Sequence, residues 1–404
     1  MKISVVNHKV LDSVDGGTTR VRSIVQGLAN NGHQVWYSCY GTSDGATSRP
    51  GLATLSVKKP ALRLLRQLAR SLYGGEEGEA AIDILSCNHP VATLKILSVL
   101  SSSNVVQIEQ IWSALYPLLF ARLRGKTAIL DDHNVEVLLA DRLSEYVSNK
   151  ALFQGWVRYV SVLERVCCML ADTIVVTSEL DRRNLARIQN VPERKIRVIP
   201  NGTDPKRYHP DPVSAANTRE MLGISDEDPI LTFVGRSSYP PNRLAVDYIQ
   251  NVLCHDVWKA HPKARFLIVS RELPEELVRR ADPRLSIISD SRDYPYINAA
   301  DICLAPLSVG GGTRIKILNY MACGKPVVTT PVGIEGIPVR DGSHVTVASL
   351  ENFPEAVNSC VAGLDGLAEM GAKAREFVER GYTWEDSIGM FESLHSELVA
   401  RNGA

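Results

Sequence analysis

Residues 305–336 place three consecutive glycines beside two cations, a combination that could bind a phosphate group. Gly310–Gly312 follow a short apolar run and lead into a helical pattern that begins near Thr313. Glycine lets the backbone approach a ligand closely, and the free N–H groups at the start of a helix favour an anion. Arg314 and Lys316 add positive charge, so the expected ligand carries phosphate. The alternative is a surface turn with solvated cations, the usual meaning of an isolated glycine triplet.

The residues around this loop predict a strand, a helix and a second strand. Residues 301–305 and 327–330 are short apolar runs typical of buried strands, and residues 313–323 between them have a helical pattern. Gly324 and Pro326 stand where a helix commonly ends. The glycine loop is therefore predicted to lie inside a repeating strand–helix–strand unit, which favours the ligand-binding interpretation.

The same alternation of patterns runs along the chain and predicts two parallel α/β sheets. The first half opens with a strand at 2–7, a Gly-Gly loop and a helix over 18–30. Its further strands are predicted at 34–40, 82–86, 105–108, 127–130 and 173–176. The second half has a helix over 241–257 and strands at 230–234, 266–269, 285–288, 302–305, 327–330 and 345–348. A stretch rich in Pro and Gly after residue 196 predicts the boundary between two domains.

Composition restricts the class of protein. A length of 404 residues suggests two or three domains, and 45% hydrophobic with 22% charged residues is typical of a globular protein. Lys and Arg number 45, as do Asp and Glu, so no net charge favours nucleic acid as a partner. We expect a cytoplasmic protein, because no secretory signal or run of about 18 apolar residues occurs. The eight cysteines form no C-x-x-C pair and are expected to be reduced.

The run GGGTRIKILNYMACGKPVV, followed by TPVGIEGI, resembles the nucleotide-sugar-binding segment of the family 4 (group 1) retaining glycosyltransferases. The opening strand, Gly-Gly loop, helix and second strand are similar to the N-terminal domain of that family. The resemblance implies an α/β protein of GT-B architecture, with two doubly wound Rossmann-like domains that face a central cleft. It implies an acceptor-side domain over 1–205, a nucleotide-sugar domain over 206–382, and a helix over 383–404 that crosses back to the first domain.

The resemblance also implies a site for the donor diphosphate. Members of the family usually have an Arg after the first strand of the second domain, and Arg236 stands there. The residues assigned to the diphosphate are Gly16, Gly17, Arg236, Gly311, Gly312, Thr313, Arg314 and Lys316. Fixed cations and amides can neutralise the charge of a leaving diphosphate. The expected substrate is therefore a UDP- or GDP-sugar, with no cofactor and no metal.

Three positions depart from the family pattern. A lysine that the family often carries six residues after Arg236 is Asn242 here, and two glutamates eight positions apart are replaced by Gly311 and Asn319. Asn319 can still bind a ribose diol through hydrogen bonds. The contact with the donor sugar passes to the amides of Gly311 and Gly312, which leaves the identity of the sugar open.

His133 is the main catalytic candidate. It follows the strand predicted at 127–130, and the family has a functional His at this place in the N-terminal domain. Such a His can hydrogen-bond a sugar hydroxyl or take a proton. The preceding Asp132 could orient His133, but we expect it to cap the next helix. In retaining enzymes of this family the β-phosphate of the donor assists deprotonation of the acceptor, so no protein nucleophile is expected.

Less specific patterns indicate which residues would contact the acceptor and the nucleobase. Polar and aromatic residues near the predicted acceptor side are Thr18, Glu109 and Trp112, although a Trp in an otherwise apolar helix is more often part of a core. Ser289, Asp290 and Arg292 follow a strand where the family binds the nucleobase. The acceptor could be a sugar, a lipid-linked glycan or a small metabolite, each offering a hydroxyl.

Residues 58–73 form a basic amphipathic pattern, KKPALRLLRQLARSLY. Its leucines share one helical face, and its lysines and arginines lie elsewhere on the helix. Such a helix can bind an anionic membrane, which would place the protein at the inner face of the membrane. Packing on its own domain with solvated cations is the alternative.

The sequence is also compatible with functions other than glycosyl transfer. The missing glutamate pair is compatible with a catalytically silent nucleotide-sugar-binding protein or partner subunit, and the fold is also compatible with a nucleotide-sugar epimerase. A dinucleotide oxidoreductase is disfavoured, because no G-x-G-x-x-G follows the first strand. We expect a glycosyltransferase of glycan biosynthesis.

Overall fold

The computed structural model describes residues 1–13, 15–41, 45–58, 87, 90–147, 149–270, 282–290 and 292–403. The chain divides into two compact units, one of residues 1–200 with 385–404 and one of residues 201–384. The predicted strand at 82–86 and nearly all of the basic pattern at 58–73 lie outside the described residues. None of the described helices is long and apolar enough to cross a membrane.

The first unit is built on an eight-stranded sheet. Its order is β3-β4-β2-β1-β5-β6-β7-β8, and all neighbours are parallel except β3 and β4. The strands are β1 Lys2–Asn7, β2 Gln34–Gly41, β3 Gly45–Arg49, β4 Leu52–Lys58, β5 Val105–Glu109, β6 Thr127–Asp132, β7 Thr173–Val176 and β8 Ile196–Val198. The antiparallel pair β3 and β4 was not predicted, because β3 is exposed throughout and lacks the apolar pattern of a core strand.

Helices cover this sheet and bury a large apolar cluster against it. They are α1 Gly16–Asn30, α2 Pro90–Leu100, α3 Leu115–Leu123, α4 Glu136–Leu143, α5 Lys150–Leu170 and α6 Glu179–Gln189. The side chain of Asp15 accepts a hydrogen bond from Thr18 N and so fixes the start of α1. Asp132 was predicted to cap the next helix, and this is wrong: it is the last residue of β6, and α4 begins only at Glu136.

The second unit has a six-stranded, wholly parallel sheet of order β11-β10-β9-β12-β13-β14. Its strands are β9 Ile230–Val234, β10 Arg265–Ser270, β11 Leu285–Ser289, β12 Ile302–Ala305, β13 Val327–Thr329 and β14 Thr346–Val347. Alternate residues of β12 enter different apolar clusters, with Ile302 and Leu304 in one and Cys303 and Ala305 in the other. Both faces are therefore covered, as in a doubly wound sheet.

The helices of the second unit are α7 Pro212–Leu222, α8 Pro240–Tyr248, α9 Cys254–Ala260, α10 Tyr294–Ala299, α11 Ile315–Ala322, α12 Phe353–Ala362 and α13 Ala368–Glu379. The helix predicted over 241–257 is interrupted by a π-helical segment, Ile249–Leu253. The final helix, α14, spans Trp384–Gly403, and from Glu385 onward it belongs to the first unit. There its Ser387 donates a hydrogen bond to the carbonyl of Pro200.

Candidate active site

In the first unit, the ends of β5 and β6 bring three ionisable side chains together. Glu109 and Asp131 are register partners on the two strands, and His133 follows β6 by one residue. Nε2 of His133 lies 2.8 Å from Oε2 of Glu109 and 3.5 Å from Oδ2 of Asp131. All three side chains are buried. His133 therefore faces two carboxylates through the same ring nitrogen.

A buried arginine from α1 compensates this negative charge. Arg20 is fully buried, and its Nε and Nη2 donate to the two oxygens of Asp131 at 2.9 and 3.0 Å. The same guanidinium donates to the carbonyls of Ile199 and Pro200, each at 3.0 Å. Such fork-like pairing is the strong form of an Arg–carboxylate contact. Sequence patterns alone did not identify Arg20 or Asp131.

The ionisation of His133 follows from these neighbours. Burial alone would lower the pKa of His133, but the charge of Asp131 and the hydrogen bonds to Asp131 and Glu109 raise it to about 9. Burial would raise the pKa of Asp131, and Arg20 lowers it below the ordinary value. At neutral pH His133 is therefore a cation that cannot readily accept a proton. This favours a hydrogen-bond donor over a general base, the two roles considered from the sequence.

The second ring nitrogen of His133 is directed at Gly17, in the first turn of α1. Nδ1 has no hydrogen-bond partner among the described residues. A Cβ built on Gly17 would lie 3.3 Å from Nδ1, 3.4 Å from Oδ1 of Asp15 and 3.6 Å from Nε2 of Gln110. The absent side chain of Gly17 thus leaves space beside Nδ1. A ligand oxygen could accept the Nδ1–H bond there.

We expect Gly17→Ala to reduce turnover without unfolding the protein. The added methyl group would occupy the space beside Nδ1 of His133, whereas alanine suits the first turn of a helix at least as well as glycine. The measurement is kcat/KM together with the melting temperature. Gly32→Ala is not an appropriate control because its φ is +87°, but Gly155→Ala is, since a Cβ there meets nothing within 4 Å. Equal kinetics for Gly17→Ala and Gly155→Ala would contradict this role for the space at Gly17.

Gln110 adds backbone strain at the same place. Its φ of 61° and ψ of 162° lie in a region that is occupied almost only by glycine. The cost of such a conformation is about 1–3 kcal/mol, and strained residues cluster at functional sites. Gln110 directly follows Glu109 and approaches Gly17 through its amide. No sequence pattern identifies this residue, because the strain depends on the packing around it.

The residues predicted to line the acceptor are buried in this structure. Thr18 is 1% exposed, Glu109 is fully buried behind His133, and Trp112 stacks on Trp156 at 6.0 Å between ring centroids. Glu109 is thus a partner of His133 and does not offer an accessible surface to an acceptor. Thr18 and Trp112 are likewise buried, and the assignment of these three residues to the acceptor stays a prediction.

In the second unit, the glycine loop lies between β12 and α11, as predicted. Gly312 has φ of 60°, a conformation that glycine adopts without strain. A Cβ on Gly310 would lie 2.5 Å from Nη2 of Arg314, so the arginine packs against the bare backbone. Nη1 of Arg314 donates to the carbonyl of Gly312, and Nη2 lies 3.7 Å from Glu335. Arg314 is therefore held within the loop and is 8% exposed.

Lys316 lies in the first turn of α11 and close to the end of β9. Its Nζ is 2.6 Å from Oδ1 of Asn242 and 4.2 Å from the ring centroid of Phe233. A Cβ on Gly235 would be only 2.7 Å from Nζ. Nδ2 of Asn242 donates in turn to the carbonyl of Arg236 at 2.9 Å. Lys316 and Arg236, which were predicted separately to bind phosphate, are thus linked through Asn242.

The pKa of Lys316 is strongly perturbed. Burial lowers it first, and the neighbouring charge of Arg314 lowers it further, to about 7. No carboxylate pairs with Nζ among the described contacts of Lys316, so an incoming anion would stabilise its charged form. Arg236, the other predicted phosphate ligand on this side, is half-buried, and its Nε donates to Ser238 at 2.8 Å.

The remaining predicted donor residues have intramolecular partners. Oδ1 of Asn319 accepts a hydrogen bond from Thr203 at 2.7 Å, and Thr313 accepts one from Asn201 at 2.9 Å. Both bonds tie the loop and α11 to residues 201–203. Asp290 pairs with Arg292 at 3.1 Å, and Ser289 is the exposed last residue of β11. The assignments to ribose and nucleobase stay predictions.

Glu109, Asp131 and His133 form the one group among the described residues whose ligand atoms are close enough to hold a metal ion. Both oxygens of Asp131 already accept from Arg20, and Nε2 of His133 faces Glu109. A second cation would therefore compete with the guanidinium and the imidazolium. The donor set fits a hydrogen-bonded ion network better than a metal centre.

One cavity of the first unit lies away from these residues. It has a volume of about 630 Å³ and is lined by residues of β8 and α14 in the first unit, including Arg197 and Met390. A smaller cavity of about 270 Å³ in the second unit is lined by residues such as His344 and Phe377. Neither cavity is lined by His133 or Lys316.

Comparison with known proteins agrees with the fold and with the resemblance. The family model for Glycosyltransferase Family 4 matches residues 14–207, and that for Glycosyl transferases group 1 matches residues 228–363. D-inositol 3-phosphate glycosyltransferase of Nocardia farcinica is 26% identical over 253 residues, which are 58% of this chain and 54% of the relative. The chain therefore spans about half the length of the curated relatives it matches.

Solved structures resemble the chain over almost its whole length. Sucrose-phosphate synthase of Thermosynechococcus elongatus has a TM-score of 0.79 at 18% identity and covers 99% of both chains. HepE of Anabaena, solved with UDP and glucose, has a TM-score of 0.73 at 13% identity and covers 98% of this chain and 100% of its own. At these identities the likeness establishes the fold. Because the two family models together match more than half of the residues, this chain belongs to the group 1 glycosyltransferases of GT-B fold.

Proposed function

We propose that this protein is a retaining, metal-independent glycosyltransferase that moves a sugar from a UDP- or GDP-sugar to a hydroxyl of a sugar, lipid or metabolite acceptor. The observation that carries the proposal is the buried network around His133. It holds a protonated imidazole with one N–H directed into the space at Gly17. Such a group can donate a hydrogen bond to a sugar hydroxyl without itself losing a proton.

The second unit would bind the donor. Lys316, Arg314 and Arg236, with the amides of Gly311 and Gly312, would neutralise the diphosphate as it departs. In the transfer step the bond between the anomeric carbon and the diphosphate oxygen breaks, and the electron pair leaves with the diphosphate. The acceptor oxygen bonds to the anomeric carbon on the same face, and its proton passes to the β-phosphate. Retention of configuration rests on the family resemblance.

UDP-glucose is the first donor to test. HepE, a structural neighbour, was solved with UDP and glucose, and with UDP-glucose in a further structure. The glycine at 311 and the amide at 319, where the family usually has glutamates, are compatible with another sugar. They are also the observation that favours the second candidate function, a silent nucleotide-sugar-binding protein. An epimerase would convert the donor in the absence of any acceptor.

The first experiment identifies the nucleotide. A ligand that binds only the folded state raises the melting temperature, so we expect UDP or GDP to stabilise the protein more than ADP or TDP. Lack of stabilisation by all four would refute the donor site. Binding without turnover on any hydroxyl acceptor would favour the silent protein, and acceptor-independent conversion would favour the epimerase.

The second experiment tests His133. We expect His133→Ala to lower kcat by about 10²-fold or more, the usual contribution of a positioned proton-bearing group, while stabilisation by the nucleotide persists. In the wild type, kcat at saturating donor should fall as pH rises through about 9, because the cationic donor is lost there. The alanine variant should lack this alkaline limb. Unchanged kcat in His133→Ala would overturn the role of this residue.

A further inference from the structure

A chain of three hydrogen bonds connects the last helix to His133. Nε2 of His395, on α14, lies 2.8 Å from Oε1 of Gln107. Nε2 of Gln107 donates to Oε1 of Glu109 at 2.7 Å, and Oε2 of Glu109 lies 2.8 Å from Nε2 of His133. His395, Gln107 and Glu109 are fully buried, and His133 is 6% exposed. The chain therefore runs through the interior of the first unit, sheltered from water.

With Glu109 ionised, the direction of every bond in this chain follows. The carboxylate of Glu109 only accepts, so Gln107 must present its NH₂ group to Glu109 and its carbonyl to His395. His395 must then donate from Nε2. Burial lowers the pKa of His395 to about 3, so it stays neutral with its proton on Nε2. His395 thus acts as a permanent donor that determines which way the Gln107 amide is oriented.

This orientation matters because Glu109 is an unfavourable place for a negative charge. Burial and the charge of Asp131 raise the pKa of Glu109, whereas hydrogen bonds from His133 and Gln107 lower it. Among the described residues, the charged groups that act on His133 include Glu109 on β5, Asp131 on β6 with its partner Arg20, and Glu136 on α4. Of these groups, only Glu109 is reached by a donor that α14 orients.

We propose that Gln107 and His395 are positioning residues for the transfer reaction, because together they hold the Glu109 carboxylate against Nε2 of His133. A side chain of the last helix, 288 residues further along the sequence than Gln107, would thereby take part in preparing the catalytic group. The relevance to catalysis rests on the proposed function of His133. The hydrogen-bond chain itself can be tested independently of that function.

The test measures the pKa of His133 by NMR titration of the full-length protein with ¹³C,¹⁵N-labelled histidine, assigned with His133→Gln. We expect Gln107→Met, which keeps the length of the side chain and removes its amide, to lower this pKa by about one unit or more, since Glu109 loses a hydrogen bond to its charged form. The alkaline limb of kcat should move to lower pH by the same amount. His395→Phe should act in the same direction with a smaller shift.

Glu392→Gln is the matched control on the same helix. Glu392 pairs with His33 at 2.9 Å. This contact joins α14 to the turn after α1 and does not touch Gln107 or Glu109. This variant should leave the pKa of His133 and the pH profile unchanged. A structural contribution of α14 alone would affect the control and the test variants alike.

The outcomes separate the two proposals. An unchanged His133 pKa in folded Gln107→Met would overturn the positioning role, whatever the activity. A lowered pKa together with undiminished kcat in His133→Ala would support the hydrogen-bond chain and overturn the proposed function of His133. If Gln107→Met alone does not fold, the pKa of His133 can be titrated in the double variant His395→Leu/Gln107→Met. This variant removes both partners of the hydrogen bond between Gln107 and His395, so neither is left buried and unpaired.

Discussion

Arg20→Met is expected to lower the free energy of unfolding by about 3–5 kcal/mol, the cost of leaving a buried charge without its partner. Arg20 and Asp131 are both buried and are joined by two hydrogen bonds. Methionine restores much of the volume but neither charge nor donors. Asp131 would then remain beside Glu109, with His133 as the one cationic partner left to it among the described residues. Chemical denaturation monitored by circular dichroism measures the loss.

Two further variants show that the charge, and not the packing, is responsible. Arg22, on the same helix, donates to the carbonyls of Leu11 and Ser13 and pairs with no carboxylate among its described contacts. Arg22→Met should therefore cost much less than Arg20→Met. The double variant Arg20→Met/Asp131→Asn should recover part of the stability, since the orphaned charge is removed. Equal losses in Arg20→Met and Arg22→Met would contradict the buried ion pair.

The glycine loop and His133 were predictable because local sequence reports on them. Gly310–Gly312 lie between a strand and a helix in the chain, and His133 directly follows a strand, so the pattern of neighbouring residues places each of them. The partners of His133 were not predictable in this way. Arg20 reaches Asp131 across 111 residues of sequence, and a helix pattern gives no reason to distinguish Arg20 from the other arginine of α1.

The same limit explains the error at Asp132 and the unforeseen partners of Glu109. Both residues stand at strand ends, where a polar side chain can cap a helix, face a ligand or turn inward. Asp132 turns inward, and neither of its carboxylate oxygens has a hydrogen-bond partner among the described residues. Burial and the charge of Glu164 raise the pKa of Asp132 well above its usual range. The packing of α5, which carries Glu164, contributes to this outcome.

Asn242 shows how a departure from a family pattern can have a structural meaning. The sequence indicated a missing lysine at this position, which weakened the expected phosphate site. In the structure, Lys316 brings its Nζ to 2.6 Å from Oδ1 of Asn242, from 74 residues away. A cation is therefore present at the end of β9, although it comes from the glycine loop.

Lys316→Met should weaken binding of UDP-glucose by about 10- to 100-fold at pH 6.5, the loss expected when a charged hydrogen bond of 1.5–3 kcal/mol is removed. At this pH a group with a pKa of about 7 is mostly protonated. Isothermal titration calorimetry measures the affinity, and Lys259→Met is a suitable control because Lys259 is exposed and pairs with Asp256 at 3.0 Å.

The pH dependence distinguishes Lys316 from any other phosphate ligand. An anionic diphosphate raises the lowered pKa of Lys316, so binding must be accompanied by proton uptake wherever the free residue is neutral. We expect uptake close to one proton at pH 8 and little at pH 6, from calorimetry in buffers of different ionisation enthalpy. Affinity should fall as pH rises above about 7. UDP-glucose is preferred to UDP because its diphosphate does not titrate in this range.

The sign of the stability effect is opposite to that of an ordinary ion pair. Because the pKa of Lys316 is lower in the folded state than in the unfolded chain, the unfolded chain binds the extra proton between about pH 7 and 10.5. Lys316 therefore contributes stability at high pH that is lost as pH falls towards 7. Lys316→Met should remove this slope as well as the proton uptake.

Lys316→Arg provides the decisive comparison. Arginine keeps the positive charge at every pH in this range, so it should bind UDP-glucose without proton uptake and with little change in affinity between pH 7 and 9. Proton uptake that persists in Lys316→Arg or in Lys316→Met would assign the titrating group elsewhere. Its loss in both variants, with affinity kept only by arginine, would establish Lys316 as the cation that the diphosphate recruits.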